Sequence, residues 1–333
     1  MNSCKKYLAG TLFLLLALFF PFDPSLTLVD NSVQFSVAII SAFYAGQPPK
    51  TPNELERLRS YLSLVEYIPR FPWLETRDIE IPRAKGEGKI PVRLVWPREK
   101  LKKSKTGLPL IVYFHYGGFV LGSHKEPLAN VMADDVEAIV ASVGYRLAPE
   151  HKFPAGVDDC WEALCWLSEN AESLGADPTN IAIAGASAGG NLAAVMGLKA
   201  RDNKLKLKGQ AILVPMMRWG AQTESMYKFG HLPGLTTRAI VWYWLSYVNQ
   251  RSDCEHMYCQ PILAESLEGV APAVVLVGES DVLRDEGVEY AKRLNESGVD
   301  LTYLRMQGTH FGVLISSKAR AAVAAALQKM FSQ

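Results

Sequence analysis

Ser187 sits in Gly185-Ala-Ser187-Ala-Gly189, between an apolar run at 181–184 and an alanine-rich stretch at 191–200 that reads as a helix. Strand, sharp turn, helix is the setting in which Gly-x-Ser-x-Gly presents a serine hydroxyl as a nucleophile. Gly185 and Gly189 lack the side chains that would block so tight a turn. A helix starting directly after Ser187 also aims its amide dipoles at the hydroxyl and favours negative charge developing there.

A serine hydroxyl is a poor nucleophile near neutrality and needs a base, itself oriented by a third group. Of the six histidines, His310 lies between Gly308 and Gly312 after the run at 301–306, and it is the expected base. The others are His115, His124, His151, His231 and His256. Asp281 follows the run at 273–277 and is the expected orienting acid. Glu279 and Asp285 compete with it, but Asp285 opens a helix carrying Val288, Ala291 and Leu294, where capping accounts for it. The order Ser187, Asp281, His310 is the one this strand-turn-helix architecture uses. A tetrahedral intermediate also needs donors at its oxyanion, and the backbone amides of Gly117, Gly118 and Ala188 are the candidates.

These residues need a frame. The runs at 110–114, 138–143, 181–184, 211–214 and 273–277 are unbroken rather than alternating and are separated by helical patterns. That describes strands buried on both faces, hence a mostly parallel sheet covered by helices. The segments 79–81 and 91–96, divided by Gly86 and Gly88, predict an antiparallel hairpin at its start. A helix is expected over 55–68, with Leu55, Leu58, Leu62 and Val65 on one face. In such a sheet, ligands bind outside the carboxyl ends of the strands, where all the residues above fall.

The chain has 333 residues, 49% of them apolar, enough for two small domains or one large α/β domain with insertions. Its net charge of +1 and the lack of a basic patch interleaved with aromatics give no footprint for nucleic acid. Lys100, Lys102, Lys103 and Lys105 are expected on a solvated loop. None of the five cysteines has metal-ligand spacing, so no metal is expected. Cys160 and Cys165 share a helical stripe with Val157, Trp161 and Leu164 and read as small buried hydrophobes. Cys254 and Cys259 pair only if the domain faces an oxidising lumen; otherwise they are free thiols.

Lys5 and Lys6 precede an apolar run at 8–22 that lacks a clear small-x-small cleavage site. A signal-anchor over 1–24 is therefore expected, with the catalytic domain lumenal by the positive-inside rule; secretion after cleavage is the alternative. The apolar patch at 33–45 either continues along the membrane surface or forms a lid helix. Asn295-Glu296-Ser297 has the form of a glycosylation sequon at a helix end.

Four ordered motifs between about 108 and 312 carry a resemblance: His115-Tyr-Gly-Gly-Phe, Gly144-Tyr-Arg-Leu-Ala-Pro-Glu-His, Gly185-Ala-Ser-Ala-Gly-Gly-Asn-Leu and Asp281-Val-Leu-Arg-Asp-Glu-Gly. They resemble the hormone-sensitive-lipase family of α/β-hydrolases, which includes carboxylesterases and membrane-anchored arylacetamide deacetylases. The resemblance implies a cofactor-free serine esterase with an α/β-hydrolase core and a helical cap. It implies Ser187, Asp281 and His310 as the triad and Gly117, Gly118 and Ala188 as the oxyanion hole. Two positions depart from the family: Tyr116 replaces a glycine, and Ala186 stands where many members carry an acid.

The expected organisation is cap helices over 25–75 and a catalytic domain over 76–333 with a cap insertion at about 216–260. That insertion is rich in large side chains, among them Trp219, Trp242, Tyr243 and Trp244. With Tyr116, Trp219 and Trp242 are the candidate pocket residues, and a hydrophobic ester is the expected substrate. A ligand receptor without catalysis, and a lyase or acyl transferase, are the alternative functions on this scaffold.

Overall fold

The computed structural model describes residues 48–63, 71–84, 88–232 and 234–333. The expected signal-anchor and the patch at 33–45 lie outside them. Among the described residues no helix is long and apolar enough to cross a membrane.

Helix α1 (Pro52–Leu62) starts at Thr51, whose hydroxyl accepts from the Glu54 N–H at 3.3 Å, with Pro52 in the first turn where its missing N–H costs nothing. It buries Leu55 and Leu58; Val65 lies outside the described residues. Strands β1 (Leu74–Pro82) and β2 (Lys89–Pro97) form the antiparallel hairpin, longer than the two short runs suggested. Most of the basic cluster is not a loop: Arg98–Lys103 is a short exposed helix, α2, in which Lys100 and Lys102 pair with Glu137 and Glu99, and Lys105 follows it in a bend.

The chain then alternates: β3 (Leu108–Phe114), α3 (Pro127–Val136), β4 (Ile139–Val143), α4 (Ala155–Glu169), β5 (Ala176–Ala186), α5 (Ala188–Asp202) and β6 (Gly209–Leu213). Helices α6 (Glu224–Phe229) and α7 (Thr237–Tyr247) fall between β6 and β7 (Ala273–Gly278), inside the expected insertion. After them come α8 (Arg284–Glu296), β8 (Leu301–Met306), α9 (Gly312–Ile315) and α10 (Ser317–Phe331). The sheet order is β1-β2-β4-β3-β5-β6-β7-β8, parallel from β4 to β8. Every residue of β4, β6 and β7 is buried, as unbroken apolar runs require, because helices cover the sheet.

Strand β3 is paired with β4 on one side and β5 on the other. The chain therefore reverses direction across the sheet there, and the carboxyl ends of β3 and β5 open onto the crevice where such sheets bind ligands. The glycine loop follows β3 and Ser187 follows β5.

Candidate active site

Ser187 has φ 58° and ψ −118°, a left-handed geometry that places it at the apex between β5 and α5. Close approach explains its two glycines. A Cβ on Gly185 would lie 2.0 Å from the Gly189 carbonyl oxygen, and one on Gly189 would lie 1.9 Å from that of Phe114. The Ser187 N–H donates to Leu213 O at 2.9 Å, and Asn191, one turn along α5, donates Nδ2 to the carbonyls of Met216 (2.9 Å) and Cys259 (3.0 Å). Asn191 thereby ties the nucleophile's helix to both ends of the insertion. Next to its second end, Cys254 and Cys259 form a disulfide, while Cys160 is a buried free thiol and Cys165 a half-buried one.

His310 and Asp281 meet from the ends of β8 and β7. His310 Nδ1 lies 3.0 Å and 2.9 Å from the two Asp281 carboxylate oxygens. Toward a carboxylate Nδ1 donates, so Nε2 keeps its lone pair and is the basic nitrogen. Nε2 is buried, makes no hydrogen bond here, and His310 and Ser187 line one cavity. Asp281 is itself held: Oδ1 accepts from the Leu283 N–H at 2.9 Å.

The two competing acids are occupied elsewhere. Glu279 pairs with Arg305 on the surface. Asp285 does not cap its own helix as expected; it accepts from the Ser225 N–H at 2.8 Å and so caps the first turn of α6 instead. That bond fastens the insertion to α8, the helix that follows Asp281.

The loop after β3 brings Gly117 and Gly118 beside Ser187 along the same cavity. Among the described residues, neither amide donates to a backbone carbonyl, and the Ala188 N–H heads α5, where no carbonyl one turn back exists for it. The three groups are therefore available to an oxyanion. The loop is braced on every side. His115 Nδ1 donates to Tyr116 O at 2.8 Å, its ring stacks on Tyr145 with centroids 4.2 Å apart, and Tyr145 Oη donates to His115 O at 2.8 Å. Burial lowers the His115 imidazole to about 4, so it is neutral and adds no charge beside the glycines.

The cavity has a volume of about 250 Å3 and is mainly apolar; Leu62, Tyr116, Leu121, Leu235, Tyr243 and Phe311 form its walls. Tyr116, where the family has glycine, packs edge-on against Phe311. Of the three candidate pocket residues only Tyr116 reaches it. Helix α7 turns Ile240, Tyr243, Trp244 and Tyr247 inward, and Trp242, one residue before Tyr243, is rotated about 100° away. Trp219 packs against Trp244 instead, and its N–H donates to Gln260 Oε1 at 2.8 Å. Tyr243 is the aromatic that lies over the site: a Cβ on Gly118 would be 2.1 Å from its ring. Arg59 and Glu126 also line the cavity, and no sequence pattern marks them.

Strand order, nucleophile turn and imidazole–carboxylate pair together define a serine hydrolase on an α/β-hydrolase frame. Comparison with known proteins agrees. A family model for the alpha/beta hydrolase fold matches residues 111–315. An arylesterase of Saccharolobus solfataricus is 37% identical over 78% of this chain and 84% of its own. The carboxylesterase NlhH of Mycobacterium tuberculosis is 38% identical over 74% and 76%. Among solved structures, the esterase of Pyrobaculum calidifontis superposes with a TM-score of 0.71 at 33% identity, covering 91% of both chains. The chain belongs to the α/β-hydrolase family, in the hormone-sensitive-lipase branch, and is a carboxylic ester hydrolase.

Proposed function

We propose that the enzyme cleaves hydrophobic carboxylic esters through an acyl-enzyme on Ser187. The observation that carries this reading is the convergence of Ser187, His310 and the Gly117–Gly118 loop on one mainly apolar cavity. Ser187 Oγ attacks the ester carbonyl as His310 Nε2 takes its proton. The carbonyl oxygen becomes an oxyanion facing the amides of Gly117, Gly118 and Ala188, where each donor is worth about 3 kcal/mol in the transition state. Asp281 holds the ring with Nδ1–H toward itself and stabilises the imidazolium. Nε2–H then protonates the departing alcohol. Water, deprotonated by the same nitrogen, attacks the acyl-enzyme and releases the acid with Ser187 restored.

Hydrolysis of 4-nitrophenyl butyrate by the full chain and by Ser187→Ala tests this. Turnover by the first alone supports it; equal rates, or tight binding of an apolar ligand without turnover, overturn it. We place the protein at a membrane, with its catalytic domain on the lumenal side. Lys5 and Lys6 before the apolar run at 8–22 support that placement, as does the Cys254–Cys259 disulfide, which suits an oxidising compartment. Release of the full chain from membranes by carbonate would contradict it.

A further inference from the structure

The cavity shared by Ser187 and His310 has a volume of about 250 Å3. Small-molecule pockets run to roughly 300–1,000 Å3, so this one is small for a site that must hold the acyl and alcohol parts of an ester together. A longer chain enters only if a wall gives way, and Tyr116 is the wall built not to.

Tyr116 is buried, lines the cavity and is held at three points. Its carbonyl oxygen accepts from His115 Nδ1 at 2.8 Å. Its ring meets Phe311, the residue after the catalytic base, edge-on with centroids 6.4 Å apart. Its hydroxyl hydrogen-bonds to the side chain of Glu126. Glu126 is fixed in turn: it is buried, and Oε2 caps α3 by accepting from the Leu128 N–H at 3.1 Å. Swinging the ring aside would strip a hydrogen bond from a buried carboxyl that water does not reach, and that penalty opposes the gain from burying more chain. In an apolar pocket whose wall stays put, a single methylene that does not fit already costs about 10-fold or more.

We propose that Tyr116 is a specificity-determining residue: its ring, pinned by Glu126, is a fixed stop that confines the cavity to short-chain esters. The proposal deepens the hydrolase reading and rests on it.

The test compares kcat/KM for short and long members of two ester series. 4-Nitrophenyl butyrate against 4-nitrophenyl octanoate varies the acyl side, and propyl acetate against octyl acetate varies the alcohol side. The wild type is expected to prefer the short member of at least one series by about 10-fold or more, and Tyr116→Ala to reduce that ratio by about 10-fold or more. The ratio is the readout because damage to the glycine loop lowers both members alike. Tyr116→Phe keeps the ring and loses only the bond to Glu126, so it should relax the ratio less than Tyr116→Ala does. Tyr116→Leu, which also shortens the side chain, gives the same reading if the alanine variant does not fold. No short-chain preference in either series, a ratio unchanged by shortening Tyr116, or a Tyr116→Phe ratio as relaxed as that of Tyr116→Ala overturns the proposal and leaves the hydrolase reading standing. Inertness of the wild type toward all four esters sinks both.

Discussion

Arg59 on α1 donates from Nε and Nη2 to the carbonyl oxygen of Val120, at 3.1 and 3.0 Å, two residues beyond Gly118, proposed above as an oxyanion donor. The same Nη2 reaches Ala148 O at 2.8 Å. Helix α1 is thus hydrogen-bonded to the loop proposed to supply the oxyanion donors, across 61 residues of sequence. Arg59→Ala should lower kcat by about 10-fold or more through loss of donor alignment, with little change in KM. Arg59→Lys should not restore it, because one ammonium cannot reproduce the planar fork. Steady-state kinetics decides; an unchanged kcat in Arg59→Ala would show that the loop needs no such brace.

Gly118 has φ 63° and Gly220 has φ 64°, so alanine is strained equally at both. They differ in surroundings: a Cβ at Gly118 meets the Tyr243 ring at 2.1 Å, while nothing lies within 4 Å of one at Gly220. Gly118→Ala is therefore expected to lose at least about 100-fold in kcat/KM, the scale of one oxyanion donor, and Gly220→Ala to stay near wild type. Equal losses would mean that backbone strain alone matters.

Asp281→Asn should fold and bind substrate but turn over about 10⁴-fold more slowly, since an amide no longer enforces the Nδ1–H tautomer of His310. Glu279→Gln, on the surface with Arg305, should be close to wild type. Comparable losses in the two variants would reassign the acid.

These contrasts also show what a single sequence conveys. Ser187, Asp281 and His310 were legible because each follows an apolar run, and strand ends converge in a parallel sheet whatever the helices do. The insertion's place is legible, but its orientation is not: period alone does not say which stripe of α7 faces the site, and it is Tyr243, not Trp242, that does. The position of Asp285 at the start of its own helix predicts a cap there, yet it caps α6, 60 residues away. Arg59 acts through contacts of the same long-range kind, to Val120, Ala148 and Glu150, which leave no local pattern.

Glu286 lies fully buried beneath the site, with Oε2 accepting from the N–H groups of Met217 and Arg218, each at 2.7 Å. Burial raises its carboxyl from 4.5 to about 8. A carboxyl that titrates higher when folded holds its proton more tightly in the native state. Its stabilisation is complete below 4.5 and is lost as pH rises through about 8. The wild type should therefore lose stability across that window by up to about 1.4 kcal/mol per pH unit from this group, and Glu286→Gln should show a shallower slope. Urea unfolding at several pH values measures it; parallel profiles would place the neutral carboxyl elsewhere.

Ser187, in its strained turn between β5 and α5, is proposed to take the acyl group on its Oγ. Mass spectrometry after exposure to diethyl 4-nitrophenyl phosphate tests it most directly, because a serine nucleophile traps that reagent irreversibly. One diethylphosphoryl group per chain is expected, on the peptide containing Ser187, with loss of esterase activity in step with labelling and no label on Ser187→Ala. Labelling at another residue with loss of activity, or ester hydrolysis by Ser187→Ala at the wild-type rate, would contradict it.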